Sequence, residues 1–412
     1  MGRDPAVVLG LNPNALGTIR ALARAGVPVV AVGPRPAGPR DVHTWMASRT
    51  RLARRVFVEG QAWPDALPDV LASCATSFEG RGVLLPSGDE AVAAILAARA
   101  KLAEAYEIVL PPAALVATLS DKVSFSRFAA ERGVPTPETL LGLTALELER
   151  EAGRLRYPCA VKPHQRDLAW DERFAFRKAL ECPDAAALVA ACREVGDLHG
   201  PLVVQEIVPG GDDRLVFSHV YVGRSGTELA LWTGHKVRQL PIHFGTSTLA
   251  ESRWDPVAAD LTRRLVDGTG FVGYGSVEFK VDPRDGTYRA LEMTVGRTWY
   301  PHGLGVAAGV NIPLIWYRDA LGQQAPRPGA QREGVLWMDE YRDVEAALDY
   351  RRAGELTAGA WYRSLRGRRV YAHLAWDDPM PGLFLAARFI LGIGAAVRRW
   401  AYRLVTRRYS SS

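Results

Sequence analysis

The chain has 412 residues, 48% hydrophobic and 23% charged, enough apolar mass for more than one core and without the polar tracts of a disordered protein. Its net charge of +6 is spread thinly until Arg398, Arg399, Arg403, Arg407 and Arg408, so the surplus marks a tail and no nucleic-acid partner is expected. Four cysteines without a CxxC pair suggest neither a zinc ribbon nor a disulfide framework; they read as small buried hydrophobes in a reducing, cytoplasmic setting, and no signal-peptide pattern opens the chain.

In chain order, Ala6–Leu11 is an apolar strand ending in Gly10-Leu11-Asn12-Pro13-Asn14, Ala15–Ala25 is helical, and Val27–Val32 is a second buried strand. That alternation predicts a parallel, doubly wound sheet, continued by a strand at Val83–Pro86 and a helix at Glu90–Ala103. GxGxxG is absent, which argues against a dinucleotide fingerprint. The loops Asn12–Asn14 (with Gly17) and Pro86–Glu90 fall at strand carboxyl ends, where open α/β sheets bind ligands.

A helix start is predicted at Ser120-Asp121-Lys122 with Ser120 as its N-cap, and Gly133-Val134-Pro135-Thr136-Pro137 ends that helix. Strands follow at Cys159–Lys162, Leu202–Val208, Leu215–Val222, Glu228–His235, Ser276–Val281 and Tyr288–Met293, with helices at Asp184–Glu194 and Pro256–Gly268. A mainly antiparallel α+β region is therefore expected from about residue 118 to 325. The pattern weakens over 326–381, and Gly382–Arg408 reads as one apolar and basic helix.

Three segments carry chemistry. In Tyr157-Pro158-Cys159-Ala160-Val161-Lys162-Pro163 a lysine ends a buried strand, where its ammonium needs an anion or open solvent. In Val203-Val204-Gln205-Glu206-Ile207-Val208-Pro209-Gly210-Gly211-Asp212-Asp213 an apolar strand leads to a polar pair, a turn and two acids. An adenine edge needs backbone donors and acceptors between apolar walls, and a ribose needs a carboxylate; an ordinary strand and turn would look the same. The third segment is a hairpin signal, Gly275–Asp282, then Asp285-Gly286, then Tyr288–Thr294. Glu278 and Glu292 stand near the middles of its strands, and if both face inward they need cations, which hard-oxygen magnesium ligation would meet.

In this order the segments resemble the ATP-grasp superfamily across roughly residues 83–325. The resemblance implies a doubly wound domain at 1–117, a lid at 118–200, a catalytic sheet at 201–325, an extension at 326–381 and a tail at 382–412. It implies ATP and Mg²⁺ (or Mn²⁺) as cofactors, with Lys122, Lys162 and Lys236 at the nucleotide. Gln205, Glu206 and Val208 become the adenine hinge, Asp212 (or Asp213) the ribose ligand, and Glu278, Glu292 and Thr294 the metal set. Arg297 would steady an acyl phosphate or oxyanion, and Arg238 would draw charge off the γ-phosphoryl group. His235–Pro241, Phe244-Gly245-Thr246 and Arg297-Thr298-Trp299 look like a carboligase-type branch of the superfamily.

Two departures stand out. The segment His164–Trp170 has no glycine where the family has a glycine-rich lid loop, so Arg166 or Lys178 would substitute, and Thr294 stands where asparagine is usual. The implied reaction joins a small-molecule carboxylate to an amine through an acyl phosphate; a bicarbonate-dependent carboxylase and a non-catalytic ATP-binding subunit remain alternatives. The tail, with Phe389–Val397 apolar and Trp400 and Tyr402 among arginines, suits either an anionic membrane surface at the inner face of the cell membrane or packing on the protein itself. On the membrane reading, a chain ending at Asp378 stays folded.

Overall fold

A computed structural model describes residues 4–37, 42–59, 62–163, 179–195 and 202–387. The lid segment His164–Trp170 with Arg166, Lys178, and the tail from Arg388 onward lie outside the described residues.

Five short strands, β1 (Ala6–Leu9), β2 (Val29–Pro34), β3 (Arg54–Val58), β4 (Gly82–Pro86) and β5 (Tyr106–Glu107), make a parallel sheet in the order β3-β2-β1-β4-β5. The order reverses at β1, which opens a crevice at the carboxyl ends of β1 and β4. Asn12 caps the first helix by accepting from the Ala15 amide, and Pro13 starts it without a lost donor. The helix expected over Glu90–Ala103 runs Asp89–Ala97, breaks at Ala98 and resumes at Arg99–Leu102.

A second sheet takes β6 (Thr139–Leu143), β7 (Cys159–Pro163), β8 (Leu180–Cys182) and β9 (Leu202–Glu206) in the antiparallel order β6-β9-β7-β8. Helices Ala145–Glu151 and Ala185–Val195 accompany it, and Leu148, Val161, Leu188, Cys192 and Val204 form a core of its own. Because β9 pairs with β6 and β7, this sheet extends to Glu206, beyond the boundary at 200 expected from sequence.

The third sheet contains β10 (Leu215–Val222), β11 (Glu228–Leu240), β12 (Thr246–Ser252), β13 (Gly273–Val281), β14 (Tyr288–Val295), β15 (Leu336–Met338) and β16 (Arg369–Tyr371), ordered β14-β13-β10-β11-β12-β15-β16. All pairs are antiparallel except β15 with β16. The weakly patterned extension therefore supplies the last two strands at one edge, each too short to leave a periodic signal. Side chains on β10 alternate between two cores. Val216, Val220 and Val222 meet Leu261 and Leu265 of helix Pro256–Val266 and Phe125 of helix Lys122–Glu131. Phe217 and Tyr221 join the core of the parallel sheet, so that sheet and the large one share one apolar interior. Packing thus places helices Ala113–Ser120 and Lys122–Glu131 with the large sheet, although residues up to 117 were expected in the first domain and those from 118 in the lid. Their cap also differs: Ser120 ends helix Ala113–Ser120, and Asp121 caps the next helix by accepting from the Ser124 amide.

Candidate active site

β13 and β14 are joined by a tight turn with Gly286 at φ 73°, and their register sets Glu278 directly opposite Glu292. Residues opposed across an antiparallel pair share a face, so the two carboxylates meet. Glu278 is largely buried, and burial pushes its carboxyl up while Lys236 pulls the other way. The Lys236 ammonium, buried on β11, lies 2.6 Å from Glu278 Oε2 and 3.3 Å from Gln239 Oε1. Glu292 is half-exposed, and the Lys122 ammonium at the start of helix Lys122–Glu131 stands 3.8 Å from it. Lys162 belongs to the same cluster. Burial and the neighbouring Lys122 bring its ammonium down to about 8, and Glu292 opposes both. Thr294, two residues beyond Glu292 on β14, points to the same side.

Three ammonium groups and two carboxylates from five separate elements thus converge on one cleft. The oxygen donors of Glu278 and Glu292 suit a hard divalent cation, which would replace Lys236 as the charge partner of Glu278. The ammonium groups suit phosphate oxygens.

The predicted hinge divides into side chains and backbone. Gln205 Nε2 donates to Thr139 Oγ1 at 3.1 Å. The buried Glu206 carboxylate accepts from the Glu138 amide at 3.1 Å and from Arg284. Both side chains hold the strand in place, and the Glu206 and Ile207 amides donate to the Glu138 and Pro158 carbonyls, so this segment has the buried Val208 side chain and the remaining main-chain groups of 205–208 to offer a ring. Asp212 departs from its expected place. It is turned inward, accepting from the His243 amide at 3.0 Å and from the Tyr350 hydroxyl, whereas its neighbour Asp213 is exposed. Arg238 departs further. Its guanidinium forms a buried bidentate pair with Asp343, both bonds 2.8 Å, and donates to Ser364 Oγ. Three of its five donors are engaged in this way, and the buried pair holds the group against Asp343 and Ser364 instead of a γ-phosphoryl group. A break in alternation explains the reversal: residues two apart on a regular strand share a face, but the bulged stretch Lys236–Gln239 sends Lys236 to the cleft and Arg238 toward helix Arg342–Arg352.

Beyond Thr294 the chain turns to the crevice of the parallel sheet. Arg297 Nε lies 2.5 Å from Asp89 Oδ1 at the start of the helix after β4. Asn12 and Asn14 side-chain amides both donate to the Ser87 carbonyl, tying the β1 and β4 loops together. The Thr298 amide donates to Pro86 O, and its hydroxyl accepts from Thr18, which also contacts His302 Nε2 at 3.2 Å. A side chain at Gly17 would collide with the His302 ring, 2.8 Å from where its Cβ would stand. Burial brings His302 down to about 4, so it is neutral and orients loops rather than moving protons. Both crevice loops, Asn12–Asn14 with Gly17 and Pro86–Glu90 with Asp89, were singled out from sequence, as was the segment Arg297-Thr298-Trp299; Thr18 and the contacts that join these segments were not.

No family model matches the chain. D-aspartate ligase of Enterococcus faecium (strain Aus0004) is 22% identical over 287 residues, 66% of this chain and 67% of that protein. Among solved structures, the biotin carboxylase domain of Hydrogenobacter thermophilus 2-oxoglutarate carboxylase, in complex with MgADP, ADP and bicarbonate, matches at TM-score 0.59 and 16% identity over 81% of this chain and 74% of that one. N5-carboxyaminoimidazole ribonucleotide synthetase from Thermus thermophilus matches at TM-score 0.57 and 18% identity over 80% and 81%. The parallel sheet, the four-stranded sheet and the large antiparallel sheet come in the same order as the motifs, and the chain shares the ATP-grasp fold of these structures.

Proposed function

We propose that the chain is an ATP-dependent ligase that phosphorylates a carboxylate and passes the acyl group to an amine, releasing ADP and phosphate. The observation that carries this reading is the Glu278–Glu292 pair, opposed across one hairpin and flanked by Lys122, Lys162 and Lys236. Glu278 and Glu292, with Thr294 beside them, would hold magnesium (or manganese), which when bound would supply positive charge against the phosphates.

Lys162 and Lys122 take phosphate charge from one side, and Lys236, released from Glu278, takes it from the other. The main chain of 205–208 meets the adenine edge, Val208 walls it, and exposed Asp213 replaces Asp212 at the ribose. The carboxylate substrate lies between this cleft and the crevice, where Arg297 exchanges Asp89 for the substrate and steadies the oxyanion formed when the amine attacks. Arg238 has only a supporting part. The name of the D-aspartate ligase relative makes D-aspartate the first carboxylate to test. ADP formation that requires both a carboxylate and an amine supports the ligase; dependence on bicarbonate would favour a carboxylase, and nucleotide binding without turnover on a broad panel a non-catalytic subunit.

The protein also meets anionic membrane through its C-terminal end in this reading. No helix among the described residues is long and apolar enough to span a membrane. Support comes from the apolar and basic sequence after Ala387 and from Leu374, Trp376, Met380 and Leu383, all exposed just before it; Trp376 is 100% exposed. Sedimentation with phosphatidylserine vesicles tests this, and equal binding by a chain ending at Ala387 would refute a role for the tail.

A further inference from the structure

We propose that Asp339, Glu340 and His373 form a zinc site, separate from the Glu278–Glu292 pair, that ties together the ends of β15 and β16 within the C-terminal extension. β15 and β16 run parallel, and the Ala372 amide continues their ladder by donating to Met338 O at 2.9 Å. The residues just past the two strand ends therefore meet, bringing Asp339 and Glu340 beside His373 across more than thirty positions of sequence. One ligand atom from each lies within 4.8 Å of the others. His373 Nδ1 is 3.5 Å from Glu340 Oε2 and 3.9 Å from Asp339 Oδ1. Tetrahedral zinc with bonds of about 2.0–2.1 Å sets its ligands about 3.3 Å apart, so a small contraction closes the set.

The donors around the cluster are arranged as they are around metal ligands. The Tyr300 hydroxyl donates its one proton to Asp339 Oδ2 at 2.7 Å. Its 3.3 Å contact with His373 Nε2 then requires that nitrogen to carry a hydrogen. Nδ1 is left aimed at two carboxylate oxygens, and it has no hydrogen-bond partner although the residue is only 2% exposed. Glu340 Oε1 accepts from the Leu374 and His373 amides at 2.7 and 3.1 Å, and Asp339 Oδ1 accepts from the Arg342 amide at 3.0 Å. Other charges nearby are engaged elsewhere: the Arg342 guanidinium is 4.0 Å from Asp339 Oδ2 and donates to the Leu240 carbonyl at 2.6 Å, and Arg20 donates to the His373 carbonyl. One imidazole and two carboxylates fit zinc in preference to magnesium, and three protein ligands leave the fourth tetrahedral position to water, with Glu340, its side chain 14% exposed, the most accessible of the three.

The test uses the full untagged chain, stripped with chelator and reloaded with zinc or cobalt(II) while magnesium occupies Glu278 and Glu292. Elemental analysis should find about one zinc per chain, with a higher melting temperature than the stripped protein. Cobalt should give the visible d–d bands of a four-coordinate site. His373→Gln should abolish the stoichiometric metal, and Tyr300→Phe should weaken affinity about 10–100-fold by freeing Asp339. Glu292→Gln should leave zinc binding unchanged, which separates this site from the ATP cleft. Absence of stoichiometric zinc in the unaltered chain overturns the proposal, as does equal retention by a folded His373→Gln. Should that variant fail to fold, the cobalt spectrum of the unaltered chain decides, and bands of an octahedral aquo ion count against the site.

Discussion

Lys162 is the residue whose charge is most finely balanced. In the free protein burial and Lys122 bring its ammonium down to about 8, whereas an unfolded lysine sits at about 10.4. Below about pH 8 the ammonium is present to meet phosphate; above it the free protein has lost that charge. Nucleotide binding between about pH 8 and 9 should therefore take up a proton, and ADP affinity should fall as pH rises through this range. Calorimetry in buffers of different ionisation enthalpy measures the uptake, and Lys162→Met should remove it. A second outcome concerns Glu292. Half-exposed, it contributes little to packing, so Glu292→Gln should fold with an unchanged melting temperature yet lose at least about 100-fold in kcat, since an amide oxygen is a poor ligand for magnesium. Near-normal turnover at low magnesium would remove it from the metal set.

At the scale of elements, β11 shows how one strand serves two purposes. Its bulged stretch directs Lys236 to the cleft and Arg238 into a clamp on helix Arg342–Arg352, where Asp343 also accepts from Thr248 and from the Trp361 indole. Removing one partner of such a pair leaves a buried charge unmatched. Arg238→Met should cost about 3–5 kcal/mol of stability, read from the denaturant midpoint, with ADP affinity in the surviving fold within a few-fold of normal. A large loss of affinity without a loss of stability would restore Arg238 to the phosphate site. The hairpin β13–β14 was legible from its Asp-Gly turn and flanking apolar strands. Its register was not, because the bulge at Glu278/Phe279 makes counting across the turn unreliable.

At the scale of the whole molecule, the extension closes back on the first helix. Arg20 Nε donates to Asp378 Oδ2 at 3.0 Å, and Thr50 Oγ1 and the Arg51 amide donate to the same buried carboxylate. Residues 379–387 continue as helix, with Phe384 edge-on to Trp45 at 3.7 Å and Leu385 buried. A chain ending at Asp378 would discard these contacts, so the truncation that isolates the tail ends at Ala387 instead. The Ala387 chain should keep the full melting temperature, and the Asp378 chain should melt several degrees lower. Asp378→Ala should cost about 3–5 kcal/mol, measured by denaturant unfolding, because Arg20 is left buried and unpaired.

What the sequence determined by itself is what local pattern encodes. A lysine at the end of an apolar strand, a hairpin with a glutamate in each arm and a polar pair before a Pro-Gly-Gly turn can be read within a dozen residues, since strand period and turn chemistry are local. Tertiary structure alone decided the partners. Asp343 meets Arg238 across 105 positions, Asp378 meets Arg20 across 358, and Tyr350 closes on Asp212 across 138. Which of two neighbouring acids faces solvent, and which of two basic residues on one strand faces the cleft, depends on bulges and on elements that arrive much later in the chain. Burial makes those pairings necessary, because an ion withdrawn from water must find its counter-charge wherever the fold brings one.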